Sequence, residues 1–327
     1  MIANRPGNAS QQDNGRVRVR SHYRNRSASQ ASLWSLLAIA CLLLVGTPGR
    51  ARAHPGSALE VGRDGRLYFV DTGSGVFTVN RAGVLGRVEG PAFHWFAIDG
   101  TSALADTPWP RIPGAEIVSA GRDPTLVLSS DFAVAVGGDG AFYYPEPDGE
   151  SHWRMIRVTA DGTRSQFARF PADKRPDGST SSVNGLAPAP DGSLYFTHDR
   201  AVKKISARGI VTTIASGVTV KRCARIPGTE QATGPYLRGL DVAPNGTVFV
   251  AAAGCGAVLM IAADGKVRSV LRTASPWSPT AVAVSEGEIF VLEYLHTDSD
   301  DRSEWLPRVR KVSRGGAVET VIDRGTR

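Results

Sequence analysis

Beyond residue 53 the chain alternates apolar and polar positions in short bursts, each broken at a tight turn and resumed after it. The clearest copies are VFTVNRAGVLGRV from Val76, EIVSAGRDPTLVL from Glu116, MIRVTADGTRSQFA from Met155, VKKISARGIVTTIA from Val202, VLMIAADGKVRSVL from Val258 and VRKVSRGGAVETVI from Val309. A period of two predicts strands with one buried face, and a glycine at the break, such as Gly83 or Gly265, supplies the positive φ that a tight connection between twisted strands requires. Each copy therefore predicts a β-hairpin.

A second hairpin precedes each of these: ALEVGRDGRLYFVD from Ala58, WFAIDGTSALAD from Trp95, FAVAVGGDGAFYYPE from Phe132, GLAPAPDGSLYFTHD from Gly185, GLDVAPNGTVFVAA from Gly239 and AVAVSEGEIFVLE from Ala281. Two hairpins make a four-stranded sheet, which cannot bury both faces alone but can when identical sheets pack radially. The 274 residues after position 53 give about 46 per unit, close to the ~40 to 50 of a propeller blade. The prediction is an all-β, six-bladed β-propeller of four-stranded antiparallel blades over 54–327. Its second unit is the most degenerate, with Ala103 and Ala105 where the other units carry bulky strand residues.

GLAPAPDGSLYFTHD and GLDVAPNGTVFVAA resemble the repeats of NHL-type propellers and of their six-bladed relatives, the SMP-30/gluconolactonase-like and ScyD/ScyE-like proteins. The resemblance covers about five-sixths of the chain and implies architecture rather than reaction, because such propellers host binding modules, hydrolases and scaffolds alike.

Residues 1–53 are of a different kind. A polar front with Arg16, Arg18, Arg20, Arg24 and Arg26 is followed by the apolar run LWSLLAIACLLLVG from Leu33 and by Ala51-Arg52-Ala53. This predicts a secretory signal peptide with an A-x-A cleavage site, leaving His54 first in a secreted or periplasmic protein. The run is shorter than the ~20 residues that span a bilayer, so no membrane association is expected after cleavage. The segment holds eight arginines and one acid, Asp13; the rest carries 30 basic and 30 acidic residues, so the net charge of +7 belongs to the signal. Nucleic acid is not an expected partner, and a monomer is expected. In an oxidising compartment Cys223 and Cys255 can pair, since both fall in connections on the same face.

Loop lengths mark a working face. Turns within hairpins are short, whereas connections between hairpins and between units carry DTPWPRIPGA, PEPDGESHWR, FPADKRPDGSTSSVN, SGVTVKRCARIPGTEQATGPYLR, TASPWSP and YLHTDSDDRSEWLPR. Insertions confined to one face of a repeat array mark its binding side. Register places Ser57, His94, Asp131 or Phe132, Asn184, Arg238 and Thr280 at the entrances of the inner strands on that face. A second ring at the ends of the second strands holds Asp71, Asp106, Glu146, His198, Ala252 and Glu293. The candidate ligand contacts are His94, Asn184 and Arg238, with Asp71, Glu146 and Glu293 as an acidic rim. The tryptophans Trp109, Trp153, Trp277 and Trp305 also fall in these loops, where they can stack on a ring or pack the lids. His152, His296 and the string Asp298, Asp300, Asp301 beside Arg302 read as solvated loop residues.

The SMP-30 resemblance implies a divalent metal held by oxygen ligands, and Asn184 in VNGLAPAPDG matches the Asn of the family's N-G-L motif. Arg238 in LRGLDVAPNG departs from the pattern by standing where an aspartate is expected, and Ser57 or Gly56 replaces the first-blade glutamate. A fixed positive charge there suits an anionic or carbonyl-bearing ligand better than a cation. The residues thus favour binding of a small molecule, glycan or protein on the long-loop face; the alternative is a metal-dependent lactonase or esterase at the central mouth. The cofactor stays open, a divalent metal being the candidate, and no G-x-S-x-G, H-E-x-x-H or P-loop motif points to another chemistry.

Overall fold

The computed structural model of the protein describes residues 55–325, apart from 89, 102–103, 105–111, 119–123, 174, 176–177, 224–233 and 296–303. The expected signal peptide at 1–53, His54, Ala103, Ala105, Asp106, Trp109, the turn residue Asp123, His296, Asp298, Asp300, Asp301 and Arg302 lie outside the described residues.

Hairpins follow one another along the chain and assemble into six antiparallel sheets. Blade 1 is β1 (Leu59–Val61), β2 (Leu67–Asp71), β3 (Gly75–Val79) and β4 (Leu85–Val88). Blade 2 comprises β5 (Trp95–Asp99), β6 (Ala115–Val118) and β7 (Thr125–Ser129). Blade 3 holds β8 (Ala135–Val136), β9 (Phe142–Asp148), β10 (His152–Val158) and β11 (Arg164–Pro171). Blade 4 runs through β12 (Val183–Pro188), β13 (Leu194–His198), β14 (Ala201–Ile205) and β15 (Val211–Ala215). Blade 5 is β16 (Leu237–Val242), β17 (Val248–Ala252), β18 (Ala257–Ile261) and β19 (Val267–Arg272). Blade 6 closes the chain with β20 (Trp277–Ser285), β21 (Glu288–Leu295), β22 (Pro307–Val312) and β23 (Val318–Asp323).

The six-bladed propeller is the fold the repeats predict, with a changed strand order in blade 2. There β5 pairs with β7, Trp95 opposite Ser129, and β6 lies outside β7, giving three strands among the described residues. The partner of WFAID is thus TLVLS, and residues 102–103 and 105–106 of the expected hairpin lie outside the described residues. Asp99 caps the turn after β5 by accepting from Thr101 N at 2.9 Å and Leu104 N at 2.7 Å, and the later strand TLVLS, wholly buried, takes the place beside β5. Burial of that apolar strand outweighs the local pairing that small residues such as Ala103 could offer.

The first and last blades share no strand, since all of blade 1 comes from the start of the propeller and all of blade 6 from its end. Closure rests instead on packing and on side chains. One core cluster spans blades 1, 2 and 6, with Phe69, Val76, Phe96, Leu128, Leu292 and Val309 among its members. Within it Tyr294, fully buried, donates to Val70 O and accepts from Thr72 N at 3.3 Å. Arg324 adds an ion pair to Asp71 at 3.1 Å.

Two glycines set how closely the inner strands approach. A Cβ on Gly185 would sit 2.7 Å from Arg238 O, and one on Gly239 would sit 2.9 Å from both Ser57 O and the Ala281 Cα. The glycine following Asn184 and the one following Arg238 thus have a packing reason, independent of any ligand.

Candidate functional site

The residues that enter the inner strands are nearly closed to solvent in five of the six blades. Ser57 is 5%, His94 9%, Asn184 8%, Arg238 3% and Thr280 0% exposed, while Asp131 is exposed and Phe132 half-buried. The segment Pro55–Ser57 is buried against this ring: Gly56 N donates to Thr72 Oγ1 at 2.7 Å and Ser57 N to His94 O at 2.9 Å. The guanidinium of Arg238 donates to Pro55 O and lies 5.7 Å from the Tyr236 ring centroid. Burial lowers its pKa from the usual arginine value, against the opposing influence of Tyr236 and Tyr294.

Asn184 is held from two sides. Its Nδ2 donates to Leu237 O at 3.2 Å, and its own carbonyl accepts from the indole of Trp95, also at 3.2 Å, a bond that links blade 2 to blade 4. The His94 ring meets Trp95 edge-on with centroids 5.6 Å apart. Because a carbonyl can only accept, the 2.9 Å contact of His94 Nδ1 with Ser130 O puts the neutral ring's proton on Nδ1 and leaves Nε2 the basic nitrogen. The hydroxyls of Ser57 and Thr280 are buried with no hydrogen-bond partner among the described residues.

The acidic rim is present in position but neutralised. Glu293, 0% exposed, pairs with Arg308 at 2.6 Å and with Arg310, and Arg308 lies 3.9 Å over the Trp277 ring. Glu146 is clasped by Arg154 at 2.8 Å and Arg164 at 2.6 Å. Asp71 has Arg324, yet burial outweighs that arginine and raises its carboxyl above the usual range. Ala252 adds no polar group to the ring, and in blade 2 Ser129 stands opposite Trp95. Strand register puts Arg154 opposite Glu146 and Arg308 opposite Glu293, whereas the pairing of Arg324 with Asp71 joins opposite ends of the propeller. Trp153 donates its indole N–H to Ser181 O at 3.0 Å and Trp305 lies in the core around blades 1 and 6, so both serve packing.

A further cluster, of which the sequence flagged only His198, sits where the 170–184 insertion meets β13. Ser181 Oγ is 2.6 Å from His198 Nε2, and Asp173 Oδ2 is 3.4 Å from Nδ1. These distances resemble a nucleophilic triad, but the Lys203 ammonium is 2.9 Å from the same Nδ1 and has only protons to give. Nδ1 therefore accepts, Nε2 carries the proton, and His198 donates to Ser181, the reverse of what activates a serine. Burial, followed by the charge of Lys203, pushes the His198 pKa down to about 4, and Ser181 is 0% exposed. The cluster is a buried polar brace.

The metal implied by the family resemblance does not fit this mouth. Arg238 occupies the expected carboxylate position, the rim carboxylates bind arginines, and among the described residues no three His, Cys, Asp or Glu side chains are placed to hold a metal ion. Beside the mouth Cys223 and Cys255 form a disulfide with Cα atoms 4.6 Å apart.

The fold and its repeats define a six-bladed β-propeller. The chain is similar to a virginiamycin B lyase of Nocardia farcinica, with 26% identity over 268 residues that cover 80% of this chain and 76% of that protein. Two solved structures are similar at a distance. Virginiamycin B lyase from Staphylococcus aureus matches at 13% identity and a TM-score of 0.39 over 80% of this chain and 68% of its own. A gluconolactonase from Xanthomonas campestris matches at 15% identity and a TM-score of 0.35 over 72% of this chain and 67% of its own. No family model matches the chain.

Proposed function

We propose that the protein is a secreted or periplasmic propeller that binds a small molecule bearing an anionic or carbonyl group at the mouth of its long-loop face. The observation that carries this reading is the set of polar groups at the entrances of the inner strands: the Arg238 guanidinium, the Asn184 amide, the basic nitrogen of His94, and the hydroxyls of Ser57 and Thr280, which have no partner among the described residues. Such a set offers hydrogen bonds and one positive charge. A ligand carbonyl or carboxylate would take the place of Pro55 O on Arg238. The Cys223–Cys255 disulfide supports an oxidising destination, and N-terminal sequencing of the exported protein is expected to begin at His54.

A thermal-shift screen of carboxylate- and lactone-bearing small molecules tests the binding reading. Compounds that raise the unfolding midpoint of the wild type should lose that effect in His94→Ala and Asn184→Ala; an effect retained in both variants, or a screen in which no compound acts, would defeat it. The second reading, catalysis at the same mouth, is favoured by the likeness to virginiamycin B lyase across four-fifths of the chain. Incubation with virginiamycin B followed by mass spectrometry separates the two. Turnover that His94→Ala abolishes would promote the enzyme.

A further inference from the structure

Three blades share a polar device that blade 5 lacks. In blades 3, 4 and 6 the third strand sets a cation opposite an aromatic ring of the second: Arg157 opposite Tyr143, Lys204 opposite Tyr195 and Lys311 opposite Phe290. An acid neutralises each, Asp139 at 2.7 Å, Asp191 at 3.0 Å and Glu319 at 2.6 Å. Asp139 and Asp191 also close the first hairpin turn of their blades, each accepting the backbone N–H two residues on, at 3.1 and 3.0 Å. Blade 5 keeps the ring as Phe249, but Met260 stands opposite it. The turn acid is replaced too, by Asn245, which makes the same bond to Thr247 N at 3.0 Å. Both halves of the ion pair are therefore missing from one blade, while the turn and the ring remain.

A cavity of about 550 Å³ lies at that place, between blades 5 and 6 on the face of the short hairpin turns. This falls within the ~300–1,000 Å³ of small-molecule sites. Phe249, Met260, Ile289 and Val312 give it an apolar floor, continuous with the core between the two blades. Among the described residues its ionisable lining groups are two arginines, and no carboxylate lines it. Arg314 is fixed by donating from Nε to Glu286 O at 2.8 Å. Arg268, on β19 opposite Met260, is exposed, and its guanidinium has no hydrogen bond or ion pair among the described residues. An apolar floor beside positive charges that no acid offsets complements a molecule apolar at one end and anionic at the other.

We propose that this cleft binds a small amphipathic carboxylate, its apolar chain on Phe249 and Met260 and its head group on Arg268. The site is separate from the mouth, which belongs to the opposite, long-loop face. Where blades 3, 4 and 6 satisfy the space with an internal ion pair, blade 5 leaves it to a ligand.

The test is calorimetric titration of the purified full chain with octanoate, with neutral octanamide and with acetate. The wild type should bind about one octanoate, and each of the other probes ~10-fold or more weakly, since octanamide lacks the charge and acetate the chain. Arg268→Gln, an exposed position, should weaken octanoate binding ~10-fold or more. Asn245→Asp/Met260→Lys rebuilds the pair that blade 4 carries as Asp191 and Lys204, so it is expected to fold, and by placing an ion pair on the floor it should abolish octanoate binding. His94→Ala, at the mouth, should bind octanoate as the wild type does. The proposal is overturned if the wild type ignores octanoate, if octanamide binds as well, or if Arg268→Gln and the double variant bind octanoate undiminished. Loss of binding in His94→Ala alone would also overturn it, by moving the carboxylate to the mouth.

Discussion

Replacing Tyr294 by phenylalanine removes one hydroxyl from the seam between blades 6 and 1 while keeping the ring that packs there. The hydroxyl donates to Val70 O and accepts from Thr72 N and Thr72 Oγ1, both at 3.3 Å, at a residue with no solvent exposure. Phenylalanine would leave a buried carbonyl and a buried N–H without this partner, which costs about 1–3 kcal/mol. For roughly 270 folded residues at ~2.1 cal/mol/K each, the unfolding entropy is about 0.57 kcal/mol/K, so the midpoint should fall by ~2–5 °C. Differential scanning calorimetry reads this directly. Arg324→Ala, which breaks the ion pair to Asp71 at the same seam, should couple to it in a double-mutant cycle. A midpoint change below about 1 °C for Tyr294→Phe would show that apolar packing alone closes the ring.

Three further outcomes are expected. Opening the Cys223–Cys255 bond, which closes a separation of 32 residues, should cost about 4 kcal/mol in the chain-entropy model and lower the midpoint by ~6–7 °C; equal midpoints for the oxidised protein and a Cys223→Ser/Cys255→Ser variant would contradict it. Burial raises the Glu60 carboxyl to about 8 from 4.5, so the folded state binds the extra proton and stability falls as pH rises from about 5 to 8. Glu60→Gln should flatten that limb and gain ~2–4 kcal/mol at its alkaline end, discounted for the solvent that reaches a half-buried side chain; an unchanged slope in urea melts would refute the assignment. His198, pushed down to about 4, has the opposite sign, stability being lost as pH falls from 6.5 toward 4, and its imidazole NMR shifts should report a neutral ring at pH 6, whereas titration near 6.5 would contradict the burial argument.

Repeat architecture was legible because each hairpin carries its own instructions, alternation in the strands and a glycine such as Gly83 or Gly265 at positive φ in the turn. Blade 2 was not, because β5 pairs with a strand more than 25 residues onward and no local signal records that choice. For the candidate residues, placement at the starts of the inner strands was legible. His94, Asn184 and Arg238 lie where register puts them, but their partners come from far along the chain: Pro55 lies 183 residues from Arg238, and Asp71 meets Arg324 at the other end of the propeller.

Arginine placement decides which end of the propeller axis can take which charge. The propeller carries equal numbers of basic and acidic residues, so every arginine drawn to the long-loop rim is one withheld from acids elsewhere. Arg154, Arg164, Arg308, Arg310 and Arg324 converge on Glu146, Glu293 and Asp71, and Arg238 adds a buried guanidinium at the mouth itself. On the proposed binding reading, that end is closed to a bare cation and suited to an oxygen acceptor.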